Sequence, residues 1–115
     1  MKILIADDDP GIIDSLTLVL AEQGHLIDTV SNGKVLTKVE KNKPDIILLD
    51  ILMSGENGRD ICKLIKSNDS TKNIPVIIIS ANRYGEKVAQ EAGAEDFLAK
   101  PFEITDLMER INKYS

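Results

Sequence analysis

Apolar residues along this chain gather into five short runs, near residues 2–6, 26–30, 45–49, 75–79 and 96–99, rich in Ile, Val and Leu. Each run is bounded by turn-forming residues and followed by a stretch whose apolar positions recur at helical spacing. The runs at 3–6, 46–49 and 76–79 are continuously apolar, the pattern of strands covered on both faces. Those at 26–30 and 96–99 are more mixed, as sheet edges are. Short strands alternating with helices join by right-handed crossovers into a parallel sheet. The pattern predicts an α/β fold of five βα units, (βα)5, with no residues left over for a second domain.

The helical stretches carry their own punctuation. Asp9-Pro10 sets a capping acid before a proline at the first helical position, and the stripe Ile12/Ile13, Leu16, Val19/Leu20 follows, with Gly24 just past the end. Ser31 or Asn32 is expected to start a second helix, with Val35, Leu36 and Val39 turned inward and Pro44 beyond its end. Asn57-Gly58 opens a third, with Ile61, Leu64 and Ile65 as its buried stripe. A short fourth helix runs from Gly85 to Ala92 and stops at Gly93, and Ile104, Leu107, Met108 and Ile111 give the last helix its apolar face.

Composition narrows the partners. The 115 residues are 43% apolar and carry a formal charge of -5, which disfavours a bare electrostatic grip on nucleic acid or anionic membrane. No run approaches the ~20 apolar residues of a membrane span, and no signal-peptide core precedes the first aspartates. The expectation is a soluble cytoplasmic protein without membrane insertion or direct nucleic-acid binding. The single cysteine, Cys62, excludes an internal disulfide and reads as a small apolar residue on a helix. His25, the only histidine, reads as an exposed residue before the second strand.

Four of the five runs end in residues suited to phosphoryl chemistry: Asp7-Asp8-Asp9, Asp50, Ser80 and Lys100-Pro101. As neighbouring parallel strands they would bring acids, a hydroxyl and an ammonium into one crevice at the sheet's C-terminal edge, where open α/β sheets bind ligands. Like charges ~4 Å apart repel by about 4 kcal/mol at an effective dielectric of 20, so such carboxylates call for a cation or a proton. Carboxylates without His or Cys favour Mg²⁺ or Mn²⁺. Asp9 alone reads better as a helix cap. A carboxylate is also a competent nucleophile, and phosphoryl transfer onto it needs positioning and charge neutralisation. Singly, Ser80 also fits a helix cap and Lys100 a solvated charge; it is their joint placement that argues for a site.

These residues resemble the response-regulator receiver domains of two-component and phosphorelay signalling. The resemblance covers essentially the whole chain, through Asp7-Asp8, the block from Asp50 to Gly58, Ser80-Ala81, and the block from Gly93 to Phe102. It implies a single receiver domain over residues 1–115, without an effector domain, either free-standing or excised. Its fold would be flavodoxin-like and doubly wound, with strand order 2-1-3-4-5 and the acids at the switch point. By resemblance Asp50 is the phosphoacceptor; Asp7 and Asp8 hold Mg²⁺ (or Mn²⁺), with Asp50 and the Leu52 backbone carbonyl completing the protein ligands. Ser80 is the switch hydroxyl and Phe97 the switch aromatic, although burial alone would equally make Phe97 a core residue that never moves. Lys100 pairs with the phosphoryl group, with a cis peptide to Pro101.

The donor would be a histidine kinase or a histidine phosphotransfer protein, and a downstream protein would meet the face formed by helix 4, strand 5 and helix 5. The domain would be no enzyme on an external substrate, assisting only its own phosphorylation and slow dephosphorylation. A phosphohydrolase working through an aspartyl phosphate is the competing reading; such enzymes carry a second Asp two residues after the nucleophile, where this chain has Leu52. Three departures from the family pattern stand out. Ser54 replaces a usual proline. Ser80 and Lys100 lie 20 positions apart, a shorter spacing than the family's usual one, which places the shortening in residues 82–85 and predicts a short or shifted fourth helix. Leu52 and Asn82 occupy positions that tune dephosphorylation, where an apolar Leu52 would shield the phosphoryl group.

Overall fold

Continuous apolar runs become strands here because both of their faces are covered. The computed structural model describes residues 1–31, 34–53 and 56–114, with no side-chain description at Met53 and Glu56. Its main sheet consists of β1 (Lys2–Ala6), β2 (Leu26–Val30), β3 (Ile46–Asp50), β6 (Val76–Ser80) and β7 (Asp96–Ala99). All four pairings are parallel and the spatial order is β2-β1-β3-β6-β7, the predicted 2-1-3-4-5 when the main strands alone are counted. A two-residue hairpin, β4 (Leu52–Met53) with β5 (Glu56–Asn57), follows β3 and was not predicted.

Five helices cover the sheet: α1 (Pro10–Glu22), α2 (Val35–Asn42), α3 (Gly58–Ser67), α4 (Gly85–Ala92) and α5 (Ile104–Lys113). Alternate strand residues divide the core in two. Ile3, Ile5, Ile46, Leu48, Ile77, Ile79 and Leu98 pack with Leu16 and Leu20 of α1 and Leu107 and Ile111 of α5. Leu4, Ala6, Ile47, Leu49, Val76 and Ile78 face α2, α3 and α4, with Cys62 fully buried among them.

Most of the expected punctuation is present. The Asp9 carboxylate accepts from the N–H groups of Gly11 (2.9 Å) and Ile12 (3.4 Å), and Gly24 and Gly93 have positive φ. Three expectations fail. His25 is partly buried rather than exposed, with its Nδ1 3.3 Å from the N-terminal nitrogen. Helix α2 does not start at Ser31; it opens on buried Val35, with Lys34 as an N-cap that makes no side-chain bond, and the alternative Asn32 lies outside the described residues. It ends at left-handed Lys43 (φ 47°), the residue that Pro44 steers away from helical backbone. Leu64 is 52% exposed rather than buried. Gly58, Ile61, Cys62 and Ile65 form the i, i+3, i+4, i+7 face that meets the core, so Cys62 holds the place assigned to Leu64.

Both sheet edges are closed by the same device. On β2, Asp28 Oδ1 accepts the outward N–H of Thr29 (2.9 Å), while Lys38 Nζ donates to Asp28 Oδ1 (2.7 Å) and to the Thr29 carbonyl (2.9 Å). On β7, Asp96 Oδ1 accepts the N–H of Phe97 (2.8 Å) and Arg110 Nε donates to the Phe97 carbonyl (3.1 Å). Arg110 Nε also lies 3.5 Å from Asp96 Oδ1. Edge groups that would otherwise invite another strand are thus occupied from within.

Candidate functional site

The site lies where the chain reverses direction across the sheet. From β1 it crosses to β2 on one side, then returns to lay β3 on the other, so the ends of β1 and β3 open a crevice between them. Asp7 and Asp8 follow β1, Asp50 closes β3, Ser80 closes β6, and Lys100 follows β7. All five come to the same edge of the sheet, as the sequence predicts. A carboxylate oxygen from each of Asp7, Asp8 and Asp50 lies within 4.8 Å of the other two. Asp7 and Asp50 are buried, whereas Asp8 is exposed.

Lys100 reaches into this cluster. Its Nζ donates to Asp7 Oδ2 at 2.9 Å and lies 3.6 Å from Asp50 Oδ2. Its peptide bond to Pro101 is cis, as expected, and its N–H bonds the Ser80 carbonyl (2.9 Å). The second Asp7 oxygen, Oδ1, accepts from the Asp9 N–H (2.9 Å), and Asp50 Oδ1 accepts from the Leu52 N–H (3.4 Å).

Asp50 is the strained member of the cluster. Burial, then the charge of Asp7, pushes its carboxyl up to about 6; the Lys100 charge and the Leu52 N–H oppose the rise, and Asp8 adds to it. For Lys100, burial works to lower the ammonium's pKa, but the Asp7 hydrogen bond and the Asp50 charge outweigh it and hold it above its ordinary value. The ammonium sits closer to Asp7 than to Asp50, so it satisfies Asp7 first. Three carboxylates crowd into a small volume, and an all-oxygen donor set of this kind fits a hard divalent ion.

Ser80 is buried, and its Oγ accepts from the Asn82 N–H at 2.9 Å. In the sheet it pairs with Ala99, one step beyond Ile79, the partner of Asp50. Phe97 is partly buried against the α2–α3–α4 side of the core. The Leu52 side chain is 66% exposed. Ser54 lies outside the described residues.

Two supporting glycines carry more than the sequence reading gave them. A Cβ on Gly58 would strike the Asp50 carbonyl oxygen and come within 2.7 Å of the Ile51 Cα, so only glycine lets α3 start directly against the Asp50 backbone. Gly85 is in the same position toward Phe97 and Ser80. The only sequence signal for either was a glycine in the first turn of a helix, where it is usually unfavourable. The Asp96 and Arg110 clamp on Phe97 had no signal at all, because it joins residues 14 apart through a strand edge.

A doubly wound parallel sheet with an aspartate cluster and a lysine at its switch point defines a phosphoacceptor class of α/β domain. Residues 3–112 match the response regulator receiver domain family, and the chain belongs to that family. It is 33% identical over 113 residues to the DNA-binding response regulator MtrA of Mycolicibacterium smegmatis, an alignment covering 96% of this chain and 48% of MtrA. It is 36% identical over 113 residues to the response regulator ArlR of Staphylococcus saprophyticus, covering 96% and 50%. The chain thus spans about half the length of these relatives. Among solved structures it is similar to the receiver domain of Francisella response regulator 1452, at 31% identity and a TM-score of 0.89, covering 98% of this chain and 94% of that one.

As a receiver domain it is a regulatory phosphoacceptor module of two-component signalling rather than an enzyme. Receiver domains partner with histidine kinases, and the Asp7, Asp8 and Asp50 triad is typical of their Mg²⁺ site. No helix among the described residues is long and apolar enough to cross a membrane.

Proposed function

We propose that Asp50 accepts a phosphoryl group from a phosphohistidine, carried by a histidine kinase or a histidine phosphotransfer protein. An Asp50 carboxylate oxygen attacks phosphorus as the donor's P–N bond breaks, and the imidazole leaves with the electron pair. Asp7, Asp8, Asp50 and the Leu52 carbonyl would hold Mg²⁺ or Mn²⁺; bound there, the ion neutralises charge on the carboxylates and on the phosphoryl oxygens. Lys100 neutralises a second phosphoryl oxygen, and the Ser80 hydroxyl leaves the Asn82 N–H to donate to a third. Phe97 follows Ser80 and alters the face made by α4, β7 and α5. A groove of about 430 Å³ there is lined by Glu86, Gln90, Phe97 and Arg110 among others, and a downstream protein reads it. Water slowly hydrolyses the acyl phosphate and resets the domain.

The observation that carries this reading is the Lys100 ammonium held between Asp7 and Asp50, bridging β7 to both acids from 2.9 and 3.6 Å. Incubation with acetyl phosphate and Mg²⁺, followed by intact-mass measurement, tests it. One added phosphoryl group is expected, lost in Asp50→Asn and on chelation of the metal. An adduct that persists in Asp50→Asn would place the acceptor elsewhere. Fast, repeated release of phosphate from an external substrate would instead indicate a phosphohydrolase. Ser80→Ala should still be phosphorylated yet respond weakly toward a partner; equal partner affinity in both proteins would remove Ser80 as the switch.

A further inference from the structure

Phe97 stands on an edge strand with its peptide groups turned outward. The ladder fixes this, since the Lys100 N–H bonds the Ser80 carbonyl and alternate residues face away from β6. Asp96 and Arg110 then hold the Phe97 N–H and carbonyl from the open side. With both backbone groups tied, the freedom left to this residue is rotation of its ring.

Where that ring rests depends on Gly85. A Cβ there would come 2.6 Å from Phe97 Cε1, 2.9 Å from Cζ and 3.1 Å from Ser80 Cβ. The backbone does not ask for glycine at this point, since the positive-φ glycines among the described residues are Gly24 and Gly93. In the first turn of a helix, glycine is also the weaker choice over alanine. Space is the remaining reason for it: the ring, the serine β-carbon and the Gly85 backbone meet where one methyl group would not fit.

A second link runs through hydrogen bonds. Ser80 Oγ accepts from the Asn82 N–H (2.9 Å), and the Asn82 carbonyl accepts from the Gly85 N–H (2.9 Å). The hydroxyl, the turn and the ring's resting place are therefore joined twice, by contact and by hydrogen bonds.

We propose that Gly85 is a positioning residue of this receiver: its missing side chain seats the Phe97 ring beside Ser80, poised to enter the space that the serine leaves when it moves to meet the phosphoryl group. The proposal rests on the reading of Ser80 given above. When Ser80 swings toward Asp50 it vacates volume beside the ring, and a ring free to enter that volume stabilises the shifted serine. A methyl group at position 85 expels the ring toward the groove between α4 and β7 and removes that support. Asp96 and Arg110 keep the motion a rotation on a fixed strand, so the groove senses the ring rather than a loosened edge.

The test compares wild type, Gly85→Ala, Phe97→Ala and the double variant. One readout is exposure of the Phe97 ring to a soluble paramagnetic probe, followed by NMR in protein carrying ring-labelled phenylalanine, with Phe102 assigned through Phe102→Leu. The other is affinity for beryllofluoride with Mg²⁺. Gly85→Ala should expose the ring and weaken beryllofluoride binding about tenfold, yet change affinity little when Phe97 is already alanine. A merely structural glycine would weaken both backgrounds alike, and that result overturns the proposal. An unchanged ring exposure in Gly85→Ala alongside normal binding overturns it too. If Gly85→Ala does not fold, the double variant should, because the two ring contacts are gone and only the 3.1 Å approach to Ser80 Cβ remains; failure of both to fold counts against the seat. Wild-type protein that binds no beryllofluoride overturns the reading of Asp50 and Ser80, and the probe still decides separately where the ring lies.

Discussion

Replacing Asp50 by asparagine should make the metal-free protein more stable at neutral pH, although it removes the candidate phosphoacceptor. The Asp50 carboxyl is buried beside Asp7 and pushed up to about 6 from 3.8. An acid whose folded pKa is raised binds more protons folded than unfolded between those two values, so stability falls as pH rises from about 4 to 6 and stays lowered above that. The interval corresponds to about 3 kcal/mol. Asparagine has nearly the same shape and can still accept from the Leu52 N–H, and the attraction of the Lys100 ammonium at 3.6 Å is already contained in the raised value. The net gain expected at pH 8 is therefore about 3 kcal/mol, or roughly 12 °C in melting temperature. Urea unfolding followed by far-UV circular dichroism, with a chelator present, measures the difference at pH 8 and again near pH 4. The gap should close at the lower pH, where the aspartate is protonated. An Asn variant less stable than wild type at pH 8, or a difference that does not vary with pH, would refute an electrostatically frustrated cluster.

Three other outcomes follow from the same geometry. Mg²⁺ should stabilise the wild type by mass action, by about 2.7 kcal/mol at one hundred times its dissociation constant, and so raise its melting temperature, and Asp8→Asn should largely abolish the rise; calorimetric scans with and without the metal decide it. Lys66→Met should destabilise by about 2–3 kcal/mol in urea titrations, because Lys66 Nζ donates to the Ile74 carbonyl (2.7 Å), the Lys72 carbonyl (3.1 Å) and Glu95 (2.7 Å), and Glu95 in turn accepts the Val76 N–H (2.7 Å); adding Glu95→Gln should recover part of the loss. Leu107→Ala, at a side chain with 0% exposure, should lose about 2–4 kcal/mol, while Leu64→Ala on the exposed flank of α3 should stay within about 0.5 kcal/mol, and the same titrations compare them.

What the sequence reveals and what it hides separate along physical lines. The central strands β1, β3 and β6 follow from apolar runs alone, since burial on both faces leaves almost no polar position to blur them, and the edges β2 and β7 are recognisable by their mixed character. The crevice residues are legible because each stands directly at a strand end, and a parallel sheet aligns its C-terminal ends whatever the intervening helices do. Misreadings arise where position is set by neighbours distant in sequence. Periodicity places Leu64 and Cys62 on opposite flanks of the Ile61/Ile65 stripe, and only the angle at which α3 meets the sheet shows that the small Cys62 goes inward. The start of α2 follows the burial of Val35 rather than a capping side chain, so the polar residues before it mislead.

The same distinction separates the chemistry of the site from its control. Asp7, Asp50 and Lys100 can be chosen by residue type, because a phosphoryl group requires acids and an ammonium at the sheet's edge. Gly58 and Gly85 cannot, because what each contributes is the absence of atoms, and that has meaning only against the particular carbonyl or ring it admits. Asp96 and Arg110 are similarly silent in sequence: their counterparts Asp28 and Lys38 hold Thr29 on the opposite edge in the same way. The device gains a role at β7 because the residue it holds there carries a ring that reaches Gly85 and the β-carbon of Ser80.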